Sequence, residues 1–562
     1  MMIRQLEVDG VPALLAPTTG PAHAGLMFRV GQADETLARR GITHLLEHLV
    51  LYPLGTADYH YNGTTGNVVT HFHLQGSVDD ITTFLTGVCK GLRELPASRV
   101  ETEKAILRTE WNSRGGSGLD GLPLWRYGAR GHGLLSYPEW GLHAVSLEDL
   151  QDWARRYFTK ENAVLWLAGA ELPAGLRIDL PSGQRMPVPA PSSALPQTPA
   201  FFSGSGGLTA VNAVAPRSVT ASVFAGALER ELFQALRQRD GLSYTAATNY
   251  EPRGDGYATI TALADALPEK QDAVLGGFID VLAKVRVGRT DEANIAAVIG
   301  KATEALSAED VDSSRLASAA FDVLTGEGVT ASDDLLRRVK EVTPEAVHEI
   351  ATQVLADSLL MTPCGRTADW AGFVAAPTSS ATKVTGTDYP GLGGLAQRLV
   401  VGTEGVSLVS KGSDEFATVH YDKCAALLTW PDGGRQLLGE DGISIRLEPT
   451  LYRGLTTDTV DQAVPAQVRV ELPAREPEEV PQPPPVSRRP GLLRRFRSFS
   501  TRKKVRVVTL SCIAAGVSSI SVTVLIAVLV GQAELSAFGI IGSLLLPPFL
   551  VGSVVRVWKE PG

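Results

Sequence analysis

The chain's 562 residues give room for three or four domains, and its four cysteines (Cys89, Cys364, Cys424, Cys512) lie in separate segments without CxxC spacing. That pattern excludes a disulfide scaffold and a thiolate metal cluster, and reads as reduced packing residues in a reducing compartment. The formal net charge of −9 becomes −18 once the nine basic residues of 488–506 are set aside, so the body is acidic and soluble, stands slightly off an anionic bilayer, and has no nucleic-acid partner.

The N-terminal residues, Met1-Met-Ile-Arg-Gln-Leu-Glu, contain no apolar core of a signal peptide. The first chemical motif follows in Gly41-Ile-Thr-His-Leu-Leu-Glu-His-Leu-Val-Leu-Tyr. On a helix, His44, Glu47 and His48 share one face, bringing two imidazoles and a carboxylate to one point. Two neutral imidazoles at this spacing suit zinc, and the carboxylate between them can take a proton from water; this is the inverzincin pattern, HxxEH. Downstream, Ser98-Arg-Val-Glu101 reads as a capping box opening a helix through residue 112. Glu103 and Glu110 lie two turns apart on one face of it, so that one can bind a metal while the other stands behind.

The string GITHLLEHLVLYPLGT (41–56), then Asn62-Gly-Thr-Thr65 with Thr70, then the Glu103/Glu110 helix, resembles the insulinase/pitrilysin metallopeptidases in order and character. The resemblance implies one Zn2+ per chain held by His44, His48 and Glu110. It implies Glu47 as general base, Glu103 as a supporting carboxylate, and Asn62 at the start of an edge strand that meets a peptide substrate. One departure stands out: only 13 residues separate His48 from Asn62, fewer than in the family pattern, which opens the cleft wall.

Residues 147–167 read as a helix and a strand closing a first domain, 1–182, before a Pro/Ser-rich linker, 183–204. A second domain, 205–375, repeats the α+β logic. Its amphipathic helix 220–240 carries Val223, Leu228, Leu232 and Leu236 at helical spacing and stops at Gly241. Strands around 257–263 and helices to 355 follow. Arg237 and Tyr244, seven residues apart around Gly-Leu, resemble the family's second signature, implying a cation and a phenol that reach the substrate carbonyl. The family closes its chamber with two pairs of domains, whereas this chain has one pair bearing both signatures. That implies a homodimer with Arg237 and Tyr244 acting in trans, or a heterodimer with a related protein.

Residues 388–455 show short apolar runs broken by Gly turns and resemble a pleckstrin-homology-like β domain, which reads as a lipid- or protein-docking module or a plain spacer. A Pro/Glu-rich and then basic tether, 456–506, leads to two uncharged runs, 507–530 and 536–555. Basic residues flank both outer ends, so the expectation is a transmembrane hairpin on the inner leaflet with the peptidase domains facing the cytoplasm. The expected fold class is α+β: two similar insulinase-type α+β domains, a small all-β domain and a two-helix transmembrane hairpin. The expected function is a membrane-tethered zinc endopeptidase acting on peptides or unfolded segments. The alternative is a non-catalytic scaffold or a subunit of a heterodimeric peptidase.

Overall fold

The computed structural model describes residues 2–484 apart from 56–58, 114–117 and 413. The first part of the chain runs β1 (Arg4–Val8), β2 (Val11–Ala16), β3 (His23–Phe28), α1 (Ile42–Leu51), β4 (His60–Thr65) and β5 (Thr70–Gln75). It continues with α2 (Val78–Arg93), α3 (Val100–Ser113), α4 (Gly121–Tyr127), α5 (Leu147–Tyr157) and β6 (Ala163–Ala168). The strands form one sheet in the order β1-β2-β6-β3-β5-β4, with β2 and β6 parallel and β4 at the edge. One face packs on α1 and α2 through Leu26, Phe28, Phe72 and Leu74. The expected capping box at Ser98 is replaced by a 3-10 turn, Ala97–Arg99, that leads into α3.

The second part contains β7 (Ala200–Ser203), β8 (Thr209–Pro216), α6 (Val219–Leu232), β9 (Ala246–Pro252) and β10 (Tyr257–Ala264). Helices α7 (Gln271–Arg286), α8 (Glu292–Leu306), α9 (Val311–Ser314), α10 (Leu316–Leu324), α11 (Ser332–Lys340) and α12 (Pro344–Ala356) follow, then β11 (Leu359–Thr362) and β12 (Val374–Ala375). The sheet order β12-β7-β11-β8-β10-β9 repeats the first: β7 and β11 are parallel, and α6 stands between β8 and β9 as α1 stands between β3 and β4. Beyond α6 the helix widens into a π turn, Phe233–Arg239, and Gly241 ends it in the left-handed region at φ +57°. The end of the expected linker is thus strand β7.

Each part grips the other's sheet. Helix α10 covers the outer face of the first sheet through Leu316, Ala319, Ala320 and Leu324 against Leu14, Met27, Val164 and Trp166. Helix α4 covers the second, with Trp125 stacked on Phe202 at 5.3 Å. Beside it the buried Arg126 donates to Asn212 Oδ1 (2.7 Å) and to Asp357 Oδ2 (2.9 Å).

The β module holds two four-stranded sheets. One is the meander β13 (Gly386–Pro390), β14 (Gln397–Gly402), β15 (Gly405–Ser410) and β16 (Phe416–His420). The other joins β17 (Cys424–Thr429), β18 (Arg435–Gly439) and β19 (Ser444–Leu447) to β20 (Arg469–Glu471), after the short helix α13 (Asp458–Ala463). The start of the expected tether is therefore folded, with Val460, Val464 and Val470 fully buried.

Among the described residues no helix is long and apolar enough to cross a membrane. Both expected spans, 507–530 and 536–555, and the basic stretch 488–506 lie outside the described residues. The two-pass assignment, with its cytoplasm-facing body and inner-leaflet partner, is corrected on that finding: no described helix supports it.

Candidate metal centre

Helix α1 is fixed before it presents any chemistry. Ile42, Leu45, Leu46, Leu49 and Val50 are all 2% exposed or less. Burying each contributes about 2 kcal/mol, which pins the helix on the sheet. Its first turn is held by Glu35, whose carboxylate accepts the N–H groups of Gly41 and Thr43, both at 2.9 Å. Burial pushes the Glu35 carboxyl up against the opposing pull of Arg40. Gly41 sits at φ +98°, and a β-carbon there would come within 2.8 Å of Glu139, so only glycine starts this helix.

From that platform His44, Glu47 and His48 project together, with one ligand atom from each lying within 4.8 Å of the other two. The two imidazoles lie 5.0 Å apart and perpendicular. Each ring is engaged at Nδ1 by a carboxylate: His44 by Glu139 at 3.0 Å and His48 by Glu103 at 3.3 Å. Arg99 in turn donates to Glu103 (2.6 Å). Engagement at Nδ1 fixes the tautomer and leaves Nε2 to face a metal. Glu110 Oε1 stands 3.8 Å from His48 Nε2, on the same helix as Glu103 two turns on. Glu47, 5% exposed, accepts at Oε2 from the Thr65 hydroxyl (2.6 Å) and is backed by Gly63, where even a β-carbon would come within 2.6 Å of it.

The donor set fits zinc: two oriented imidazoles, a neighbouring carboxylate, and a further carboxylate beside the face. Glu103, Glu110 and Glu139 stand against the two rings with Glu47 beside them, while Arg40 lies near Glu139 and Arg99 pairs with Glu103. A dication offsets that excess of negative charge.

The other expected residues lie where the topology puts them. Asn62 is exposed on β4, the free edge of the first sheet, and its Oδ1 accepts the Gly63 N–H at 2.9 Å. Arg237 and Tyr244 meet at the corner between α6 and β9, the guanidinium 4.9 Å from the phenol ring centre, with Tyr244 77% exposed. Asp265 holds this corner by accepting from Ser243 Oγ and from the N–H groups of Tyr244 and Thr245, all within 2.9 Å. Four residues that sequence reading did not single out now belong to the description: Glu139 and Glu35 around α1, Thr65 on Glu47, and Asp265 under Tyr244. Of these only Thr65 carried a signal, standing two residues after Gly63 on the same face of a strand.

In sequence, the chain matches no protein-family model and no curated protein. In structure it is similar to a protease from Helicobacter pylori (TM-score 0.55, 15% identity, 64% of this chain and 99% of that one). It is similar to a peptidase M16 inactive domain from Pseudomonas fluorescens (TM-score 0.54, 13% identity, 65% and 98%). It is also similar to a putative M16-like peptidase from Alicyclobacillus acidocaldarius (TM-score 0.51, 16% identity, 64% and 98%). At these identities the likeness establishes the fold: the chain has the mixed α+β, M16-like fold of the insulinase/pitrilysin type.

Proposed function

We propose that this chain is a zinc-dependent endopeptidase acting on peptides or unfolded segments, with one zinc per chain held by His44, His48 and Glu110. The observation that carries the reading is the pair of α1 imidazoles, each engaged by a carboxylate at Nδ1, beside Glu47. In this reading residues 1–182 are the zinc-binding domain, 205–375 the domain with the Arg/Tyr pair, and 388–455 the core of a pleckstrin-homology-like module.

When bound, zinc supplies a Lewis acid that acidifies water and polarises a carbonyl. The chain's own residues do the rest. Glu47, its Oε2 occupied by Thr65, takes the proton of the attacking water at Oε1 and returns it to the leaving amine. Thr65 and Gly63 keep that carboxylate from swinging away. The substrate adds as an extended strand to the free edge of β4, near Asn62. The acidic body favours neutral or basic peptides.

Arg237 and Tyr244 supply donors for the developing oxyanion, and their exposure at a corner of the second sheet suits a site completed across a dimer. We assign them to the partner copy's metal centre in a homodimer; a related partner protein is the alternative assembly. A second reading, a non-catalytic subunit, is favoured by one specific finding: a neighbour of equal similarity is described as an inactive domain.

Zinc content and cleavage of a quenched fluorescent peptide library test both readings. Glu47→Gln is expected to keep zinc and lose activity. Mixing Glu47→Gln with Arg237→Ala should restore about a quarter of wild-type activity, because half of a random mixture is heterodimer and each heterodimer holds one intact site. Zinc-free, inactive wild-type protein would favour the non-catalytic subunit.

A further inference from the structure

Beyond the two M16-like sheets, the chain carries a β module, and the module touches the metal centre's support. The outer face of the β17–β20 sheet is apolar: Ala426, Leu428, Leu438 and Val470 are each 2% exposed or less. It is buried on Leu37, Ala38, Ala129, Leu134 and Tyr137 of the first domain. The Ala129 N–H donates to the Glu440 carbonyl at 2.9 Å, and Arg130 pairs with the Glu440 carboxylate at 2.9 Å.

The segment clamped in this way, residues 128–143, carries Glu139, which holds His44 at 3.0 Å. It also carries Leu134, whose side chain is in the clamp and whose carbonyl accepts from Arg40 Nε at 3.0 Å. Arg40 Nη1 lies 3.3 Å from Glu35 Oε2 and 3.8 Å from Glu139 Oε1. Two routes therefore run from the module to α1: through Glu139 to the ring of His44, and through Arg40 and Glu35 to the first turn of the helix. Residues 128–143 hold only two short 3-10 turns, Gly131–Ser136 and Trp140–His143, with no regular helix or strand of their own. Such a segment depends on what packs against it for its position.

We propose that the β module is an intramolecular brace: its docking on residues 128–143 holds Glu139 against His44 and thereby sets the metal affinity of the centre. Glu139 is a positioning residue. The inference rests on the reading of His44 as a zinc ligand.

The test is zinc affinity, measured on the full chain by competition with a chromophoric chelator. Glu139→Gln should weaken zinc binding 10- to 100-fold, the range for loss of a carboxylate behind a metal-bound histidine. Leu428→Asp, which undocks the module or unfolds it, removes the brace either way and should weaken binding comparably. The double variant should be no weaker than Leu428→Asp alone, since undocking the module already removes the Glu139 route along with the Arg40–Glu35 route. If Leu428→Asp yields no soluble chain, Leu438→Ala takes its place, with a smaller weakening in the same direction, still beyond twofold, expected from partial loosening of the clamp. Zinc affinity within twofold of wild type in the module variants, or full additivity with Glu139→Gln, would overturn the brace. A wild-type chain that takes up no zinc would instead overturn the metal reading on which it rests.

Discussion

A single added methyl group should separate the reaction from everything that supports it. Gly63 lies on β4 opposite Glu47, and a β-carbon there would sit 2.6 Å from Cγ, 2.7 Å from Oε1 and 2.8 Å from Cδ of that side chain. Carbon and oxygen do not approach so closely without bonding, so in Gly63→Ala the Glu47 carboxylate must shift by about 1 Å. Gly63 is in an ordinary strand conformation that alanine also adopts, so the backbone itself is not strained. The shift breaks the bond from the Thr65 hydroxyl, costing about 1.5–3 kcal/mol as a hydrogen bond to a charged group. It also moves the proposed base off line, and a displacement of about 1 Å costs on the order of 100-fold in rate. The expected variant is folded, keeps wild-type zinc affinity, and has kcat lowered about 100-fold with KM little changed. Thr65→Val is the control, since it removes the same hydrogen bond without the push, and it should lose far less activity. Combining Gly63→Ala with Glu47→Gln should cost nothing beyond Glu47→Gln alone. Wild-type kcat in Gly63→Ala would refute the assignment of Glu47 as the base.

Acid should weaken the fold through two buried histidines. Burial pulls His71 down to about 3 and His132 down to about 4, so between pH 6.5 and those values the unfolded chain binds protons that the folded chain refuses. Stability is complete above pH 6.5 and falls below it, by roughly 2 kcal/mol per histidine at pH 5. His71 accepts the Trp166 indole N–H at 3.0 Å, so it must stay neutral. Urea midpoints at pH 7.5 and 5.0 should converge in His132→Gln relative to wild type; an unchanged gap would contradict this. Arg126→Met keeps the aliphatic stem but strands Asn212 and Asp357 between the two sheets, and should lower unfolding free energy by about 3 kcal/mol. A loss under about 1 kcal/mol would show that the exposed side of Asp357 lets water take the arginine's place.

The residues legible in the sequence are those whose geometry is local. His44, Glu47 and His48 are set by the 3.6-residue period of one helix, and Glu103 and Glu110 by the same period on another, so spacing alone puts each group on one face. Glu139 reaches His44 across 95 positions from a 3-10 loop, and no periodicity connects them. Gly63 and Thr65 are an intermediate case. Strand alternation puts them on one face and Asn62 on the other, but only the packing of α1 against β4 says which face meets Glu47. In the β module, the apolar strands were legible while β13 and β20 were not. Gly386–Pro390 is mostly exposed and polar, and Arg469–Glu471 pairs with β17 only after an intervening helix. The unalternating run Ala425-Ala-Leu-Leu428 did carry a signal: a strand apolar on both sides has both faces covered, which is what the docking on the first domain does.

Zinc-linked stability decides between a working peptidase and a non-catalytic subunit without any substrate. The carboxylates around His44 and His48 repel one another in the metal-free chain, and α1, which carries both rings, also fills the first core. A ligand that binds only the folded chain adds RT ln(1 + [L]/Kd), about 2.7 kcal/mol when free zinc is 100 times Kd. Removing zinc with a chelator should therefore lower the unfolding free energy by about that amount, and restoring it should recover the loss. Glu110→Ala removes one proposed ligand, so its zinc-dependent increment should shrink by about 1.4 kcal/mol for each tenfold loss of affinity. Relief of repulsion makes the metal-free form of that variant no less stable than metal-free wild type. If wild type and Glu110→Ala gained equally from zinc, Glu110 would not be a ligand. If neither gained anything, the M16-like fold would stand in this chain without its metal, and the centre would be a relic serving assembly alone.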